Sequence, residues 1–579
     1  MVGLSRVFVV ALQALLAVGQ NSTDCKCIPG DACWPAADAW AELNTTVSGK
    51  LIANKPLAHV CHDPDYDEAA CTELKSQWVW PIVFQDAPTA MMDPVWQHCT
   101  PFTPREQPCP LGADAVYSIN ATSAADMAAG VKFANAHNIR LVIRSTGHDF
   151  LGKSTGTGSL GLWTHNMRST TIIPAYSSPS TPYTGPAIKL AAGVRGTDAL
   201  AAATAAGYVV LTGNCPTVGL VGGWTQGGGH SALSTIHGMG ADQVLEWEVV
   251  TAAGEIVTAS PTTNAELYWA LAGGGPGAYG VAASVTVRLH PDQRVGGAAL
   301  AFAKPANDTD AFWGGVQALL AALPAIVDAG GHVGFSMSSA GFRIVPLTLP
   351  GADEDRVREV MAPFTSALED LGVPFQMNVS SFDTFYEHYA TYLGPIPRGT
   401  MNINVMMAGR LVPRAVVEED AGPAALAAAF RELQEVDAPG LVLAGVALQT
   451  DERQAVAPNA LLPQWRDSLV SVLAVMPWDF GAEEAVNRER ERTLNEVVVP
   501  RLTELTPGSG TYLNEASYLN PDWKRDYYGA NYERLSEIKR TWDPDGLFYG
   551  PTVVGSDAWV ERDGRLCRAF ALQAVTNIK

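Results

Sequence analysis

Two loops sixty-seven residues apart restrict what this chain can become: Arg144-Ser-Thr-Gly-His148-Asp and Gly213-Asn-Cys215-Pro-Thr-Val-Gly-Leu-Val-Gly-Gly-Trp-Thr-Gln-Gly-Gly-Gly-His230. Each follows an apolar run that reads as a strand, and each carries one potential nucleophile, His148 or Cys215, where the backbone is free to meet a ligand. The stretch 219–229 has six glycines in eleven residues, and 273–280 adds more. Glycine allows unusual dihedrals and close approach, so backbone N–H groups come within reach of a pyrophosphate. Long surface loops are also glycine-rich for blander reasons. An imidazole and a thiol set around one such segment point instead to a cofactor held by two covalent bonds.

The surrounding pattern places both loops in an alternating unit. Ser123-Ala-Ala-Asp126 predicts a helix start, with Met127, Val131, Phe133 and Ala134 as its apolar stripe and a strand over 139–143 ending at Arg144. A strand over 187–192, an alanine-rich helix over 197–206 closed by Gly207, and a strand over 208–211 lead to Cys215. Residues 244–251 and 255–258 read as a hairpin, 267–272 as a short helix and 281–289 as a strand. From about 296 to 508 the pattern changes to strand-like runs at 333–349 and 401–410, with helices near 310–326, 353–371 and 424–435, which predicts a second α+β unit. A last helix over 532–540, stopped by Asp543-Pro-Asp-Gly546, is expected to return to the first unit. The expected organisation is a leader over 1–20, a cysteine-rich extension over 21–110, a cofactor unit over 111–295, a substrate unit over 296–510 and a returning tail over 511–579.

The leader has one basic residue, Arg6, an apolar run and a small-residue end at Gly19, the form of a secretory signal. No later segment reads as long and apolar enough to span a bilayer, so an exported protein without a membrane partner is expected. Acceptor tripeptides at Asn21, Asn44, Asn120, Asn307 and Asn378 suit N-glycans on a secreted surface. A net charge of −21 argues against nucleic acid as a partner. Seven of nine cysteines (Cys25, Cys27, Cys33, Cys61, Cys71, Cys99, Cys109) cluster before residue 110 and read as disulfides. Seven is odd. If all pair, one joins Cys215 or Cys567, and if Cys215 is kept for a cofactor, Cys567 ties the extension to the tail. A metal site at Cys25, Cys27 and Cys33 lacks a complementary pair at zinc-ligand spacing, and no metal is expected.

A neutral imidazole can add to the 8α carbon of an isoalloxazine and a thiolate to its C6, provided both lie against one ring edge. Arg144 is placed to lower the local pKa values. The G-x-G-x-x-G fingerprint of a nicotinamide fold, with its preceding strand and following acidic residue, is not matched.

The two loops, the stretch Gly240-Ala-Asp-Gln-Val-Leu-Glu-Trp-Glu-Val-Val, the run Trp269-Ala-Leu-Ala-Gly-Gly-Gly-Pro-Gly-Ala-Tyr-Gly-Val281, and Tyr528-Gly-Ala-Asn531 followed by Asp543-Pro resemble the berberine-bridge-enzyme-like branch of the vanillyl-alcohol-oxidase flavoproteins. The stretch Cys25-Lys-Cys-Ile-Pro-Gly-Asp-Ala-Cys-Trp34 is similar to fungal secreted members, including those called isoamyl alcohol oxidases. The resemblance implies an α+β fold: a two-part FAD-binding domain plus a substrate domain whose antiparallel sheet is covered by helices. It implies FAD linked to His148 through 8α and to Cys215 through C6, with Arg144, Ser145, Thr146 and Gly147 around the pyrophosphate. Gly213, Val218, Gly219, Gly222, Gly223, Gly227, Gly228, Gly229 and His230 would line the cofactor. Gly280 and Val281 would approach it by backbone, and Tyr528 and Asn531 from the tail. Val218 stands where the family controls oxygen access, and its small side chain suggests an oxidase. Two departures from the plant-type pattern are a cysteine loop one residue longer and Trp224 near the place of a flavin-orienting histidine.

The expected reaction moves a hydride from a small-molecule substrate to FAD and then electrons to O2, giving H2O2. Tyr512 and Glu515 are the candidates for its base, and His165 could approach the flavin. Two alternatives stay open: a flavin dehydrogenase or oxidative cyclase that uses oxygen poorly, and a secreted glycoprotein that keeps the fold for binding. Substrate identity is not written in the sequence.

Overall fold

The computed structural model describes residues 25–89, 92–305, 309–399, 404–436, 440–562 and 564–569. The leader, Asn21 and Asn307 lie outside the described residues. Three sheets organise the chain. The first has four strands in the order Leu51–Ala53, Tyr117–Asn120, Leu160–Trp163, Leu141–Arg144, the last three parallel and the first antiparallel to its neighbour. The parallel strands Tyr117–Asn120 and Leu141–Arg144, with Leu160–Trp163 between them, need a crossover, and the helix Ala124–Ala136 supplies it. It starts as predicted, with the Ser123 side chain accepting from the Asp126 N–H, and it buries Met127, Val131 and Ala134.

The second sheet is antiparallel, in the order Thr170–Ser177, Thr184–Ala191, Val281–Arg288, Val244–Val250, Ile256–Ala259. The hairpin predicted over 244–258 is its edge. A third, seven-stranded antiparallel sheet runs Gln376–Phe382, Val295–Ala303, Gly341–Pro350, His332–Ser338, Val442–Ala447, Ser468–Pro477, Val405–Pro413. The apolar run 333–349 is therefore two strands, turned at Ser338 to Gly341. Helices Asp310–Asp328, Glu354–Asp370 and Gly422–Glu435 lay Phe312, Leu319, Leu323, Met361, Phe364, Leu426 and Phe430 onto it in one core. Helical spacing of those apolar residues makes the stripe.

Helix Asp310–Asp328 corrects one expectation. Its length and hydropathy suffice for a bilayer span, contrary to the sequence reading, but half of it is buried inside the protein and its stripe belongs to the core. The predicted strand over 208–211 shortens to Tyr208–Val209, because its partner is only His290–Pro291 and Pro291 has no N–H to extend the ladder. Cys215 thus sits six residues beyond a strand end, in a loop braced by the Tyr389 hydroxyl, which donates to the Gly213 carbonyl at 2.8 Å.

Four disulfides pair Cys25 with Cys567, Cys27 with Cys33, Cys61 with Cys71 and Cys99 with Cys109, and Cys215 is in none of them. The extension is thereby tied to the tail, the pairing expected if Cys215 is kept for a cofactor. It also gives the first sheet an edge strand, Leu51–Ala53, which its cysteine content did not announce. His62 lies near Cys99 and Cys109, but oxidised sulfurs are not thiolate ligands, so that cluster is no metal site.

Candidate active site

The two nucleophile loops meet. Cys215 Sγ lies 4.0 Å from His148 Nε2, and the Thr217 hydroxyl stands between them, 3.3 Å from the sulfur and 2.7 Å from the nitrogen. The loops are tied further along by the Gly219 N–H, which donates to Thr146 Oγ1 at 3.2 Å, while Ser145 Oγ donates to the Ala192 carbonyl at 3.1 Å. Gly147, at φ +76°, lets the chain turn over the Arg144 guanidinium, 2.7 Å from where a Cβ would be. Burial pulls Arg144 down to about 10, which leaves it a cation beside the histidine loop. It donates to the Phe84 carbonyl of the N-terminal extension.

Most of the glycines predicted to line a cofactor are needed for packing. Trp224, 8 % exposed, is the centre of the glycine-rich stretch. A Cβ on Gly213 or Gly229 would lie 2.9 or 2.8 Å from its indole and one on Gly240 closer still, and Gly229 also has φ +73°. Gly227 faces the Asn514 side chain, Gly228 faces Leu461, Gly219 faces Ser145 and Gly280 faces Val249. Gly222 and Gly223 differ. Their nearest neighbours are 3.9 and 4.0 Å away, at Ser145 Cβ and Pro276 Cγ, within a segment that kinks at Gly222. That pair offers the open backbone a bulky ligand needs. Gly240→Ala should cost about 1–3 kcal/mol by overpacking against Trp224, read as a lowered thermal midpoint that Trp224→Phe partly restores.

On the other side of the glycine-rich stretch, the segment 509–515 runs along the edge strand Val405–Pro413. Leu411 N–H donates to the Gly510 carbonyl at 2.8 Å, Thr511 Oγ1 to the Gly409 carbonyl at 3.0 Å, and Thr511 N–H to the Asp526 carbonyl at 2.7 Å. This rail delivers Tyr512, Asn514 and Glu515 to the loop. Glu515 Oε1 lies 3.1 Å from His230 Nε2, and the Tyr512 ring stands edge-on to His230 at 5.2 Å. Asn514 Nδ2 donates to the Gly223 carbonyl at 2.8 Å and to the Tyr512 hydroxyl at 2.9 Å. Burial, then the Glu515 charge, push the Tyr512 phenol well above its ordinary value, so it stays protonated. In the neutral tautomer with Nε2 donating to Glu515, His230 Nδ1 is an acceptor, and it is buried without a partner among the described residues. Burial first, then His230 and His388, pull the nearby His332 down to about 3, which keeps it neutral.

Other predicted residues have other partners. Val218 is half-buried, its carbonyl accepting from the Gly196 N–H at 2.9 Å. Val281 starts a strand opposite Val250. The Tyr528 hydroxyl donates to the Thr552 carbonyl at 2.8 Å, and Asn531 Nδ2 donates to the carbonyls of Ala460 and Leu461 at 3.1 and 3.0 Å. Asn531 therefore braces the segment that packs on Gly228, while Tyr528 anchors the tail at Thr552. Burial and the neighbouring Arg168 pull His165 down to about 4, and its Nε2 is 3.5 Å from Asp86 of the extension. Sequence reasoning missed Thr217, although it lies inside the quoted loop, and Gln85, whose side chain donates to the Thr217 carbonyl at 2.9 Å.

An imidazole, a thiol outside the disulfides and an open glycine pair, with buried polar atoms on Trp224, Gln226 and His230 that have no partner among the described residues, form a cradle chemically suited to a flavin. The fold and site are those of a flavoprotein oxidoreductase. Residues 116–260 match the FAD binding domain family and residues 511–554 match the berberine and berberine like family. The chain is 43% identical to the VAO-type flavoprotein oxidase VAO615 of Thermothelomyces thermophilus over 95% of this chain and 96% of that protein. It is 42% identical to the bifunctional decalin synthase calF of Penicillium decumbens over 96% and 97%. The crystal structure of the VAO-type flavoprotein MtVAO615 from Myceliophthora thermophila C1 superposes with a TM-score of 0.90 at 42% identity, covering 94% of this chain and all of that one. The protein belongs to the berberine-bridge-enzyme-like branch of the vanillyl-alcohol-oxidase family and is an FAD-linked oxidoreductase.

Proposed function

We propose that this protein is a secreted oxidase whose FAD is bonded to His148 through 8α and to Cys215 through C6. The observation that carries the reading is the convergence of His148 and Cys215 on one hydroxyl, since two bonds to one ring edge require both nucleophiles at one place. Bound FAD supplies a two-electron acceptor that takes a hydride from a substrate C–H and passes the electrons to O2, yielding H2O2. The chain's part is to hold, orient and move a proton. Gly222 and Gly223 offer backbone to the ring system, with Ser145, Thr146 and Gly147 near the pyrophosphate and Arg144 adding positive charge. The His230–Glu515 pair takes the substrate proton at His230 Nδ1, Glu515 fixing the Nε2–H tautomer. Tyr512, held neutral, packs edge-on against His230.

Secretion is supported by four disulfides. Asn378 is exposed and Asn44 partly so, which suits N-glycans there; Asn120 is half-buried and accepts from Asn166. The cofactor unit over 111–295, the substrate unit over 296–510 and the tail from 511 remain our proposed division. A second reading, oxidative ring formation with little use of oxygen, is favoured by the similarity to a protein named decalin synthase. Anaerobic mixing with alcohols, oligosaccharides and phenols should bleach the flavin for one class, and readmitted air should give one H2O2 per substrate oxidised. Bleaching without stoichiometric peroxide would establish the second reading instead.

A further inference from the structure

Thr217 joins groups that the proposed cofactor links use separately. Its Oγ1 is 2.7 Å from His148 Nε2 and 3.3 Å from Cys215 Sγ, whereas sulfur and nitrogen are 4.0 Å apart, too far for a good direct hydrogen bond. A hydroxyl has one proton to donate and two lone pairs to accept with. One arrangement satisfies all three groups: the thiol donates to Oγ1, and Oγ1 donates to Nε2. The other imidazole nitrogen has no hydrogen bond among the described residues. Thr217 is fully buried, so bulk water does not compete for its hydroxyl.

The N-terminal extension holds this residue. Gln85, also fully buried, ends the helix Pro81–Gln85, and its side-chain amide donates to the Thr217 carbonyl at 2.9 Å. The preceding residue, Phe84, takes the Arg144 guanidinium on its carbonyl. One turn of the extension thus grips both nucleophile loops.

We propose that Thr217 is a positioning residue for covalent cofactor attachment, passing the Cys215 proton to His148, and that Gln85 of the extension fixes it for this task. The inference rests on the two-link reading above. In the cysteinyl step a C–S bond replaces a ring C–H: Cys215 and the ring carbon each lose a proton. The two electrons released go to dioxygen, which leaves as H2O2. Thr217 acts on the first proton only.

The test follows Cys215 modification by peptide mass in full-length protein, secreted at about pH 6 and then held with FAD in air at about pH 9, either side of the ordinary thiol range. The unaltered chain and Thr217→Ser should be fully linked at the lower pH. Thr217→Val should show the Cys215 link in about a tenth of chains or fewer while keeping the His148 link, and should recover at the higher pH, where hydroxide replaces the lost relay. Full linkage of Thr217→Val at the lower pH overturns the proposal. So does a folded, His148-linked Thr217→Val that fails to recover, because a purely structural role leaves no pH rescue. Should Thr217→Val not be secreted, Gln85→Leu carries the same test, with a several-fold loss and the same recovery expected and full linkage at the lower pH overturning it. Unaltered protein with flavin on neither residue overturns the underlying reading, a distinct result.

Discussion

Combining His148→Ala with Cys215→Ala should release all the colour: the acid-precipitated double variant comes down white with its flavin in the supernatant, while the unaltered chain takes its yellow into the pellet. Each single variant should still precipitate yellow, held by the remaining bond. The two side chains lie on loops tied to each other through Thr146 to Gly219 and through Thr217, so removing one nucleophile does not displace the other. In the single variants dilution should deplete little flavin, in the double variant nearly all. Yellow supernatant from the unaltered chain would end the covalent reading without touching membership of the family.

The loops that carry this prediction were readable because a covalently held cofactor would need particular atoms, and His148 and Cys215 are residue types that supply such atoms. The glycines beside them carry a less specific signal. Sequence cannot distinguish a glycine kept clear for a ligand from one kept clear for an indole, and Gly213 and Gly229, both expected to line the cofactor, also make room for Trp224. Helices with a local cap and a 3.6-residue stripe, such as Ala124–Ala136, stood where their pattern put them. The strand before Cys215 did not, because its length depended on a distant partner containing Pro291. The same holds for function: Glu515 was visible as a carboxylate near the tail motif, but its partner His230 lies 285 residues away and only the fold brings them to 3.1 Å. Gln85 carried no signal at all, since one buried amide in a cysteine-rich segment looks like any other.

That His230–Glu515 contact sets the second large effect. Anaerobic flavin reduction by substrate should fall by about 10²- to 10⁴-fold in His230→Asn, the usual worth of a positioned base. Glu515→Gln should fall within the same range, because losing the carboxylate charge weakens the imidazolium that forms as His230 takes the proton. Since the two act as one unit, the double variant should be no slower than His230→Asn alone, a strong departure from additivity. Tyr512→Phe separates the two residues that sequence put forward. Its phenol is buried and held protonated, with Asn514 donating to it, so it has no lone task as a base and its loss should stay within about tenfold. A collapse of the rate in Tyr512→Phe, with His230→Asn near normal, would move the proton to the phenol. Losses from His230→Asn and Glu515→Gln that simply multiply would mean the two side chains serve different steps, and the 3.1 Å contact between them would then be structural.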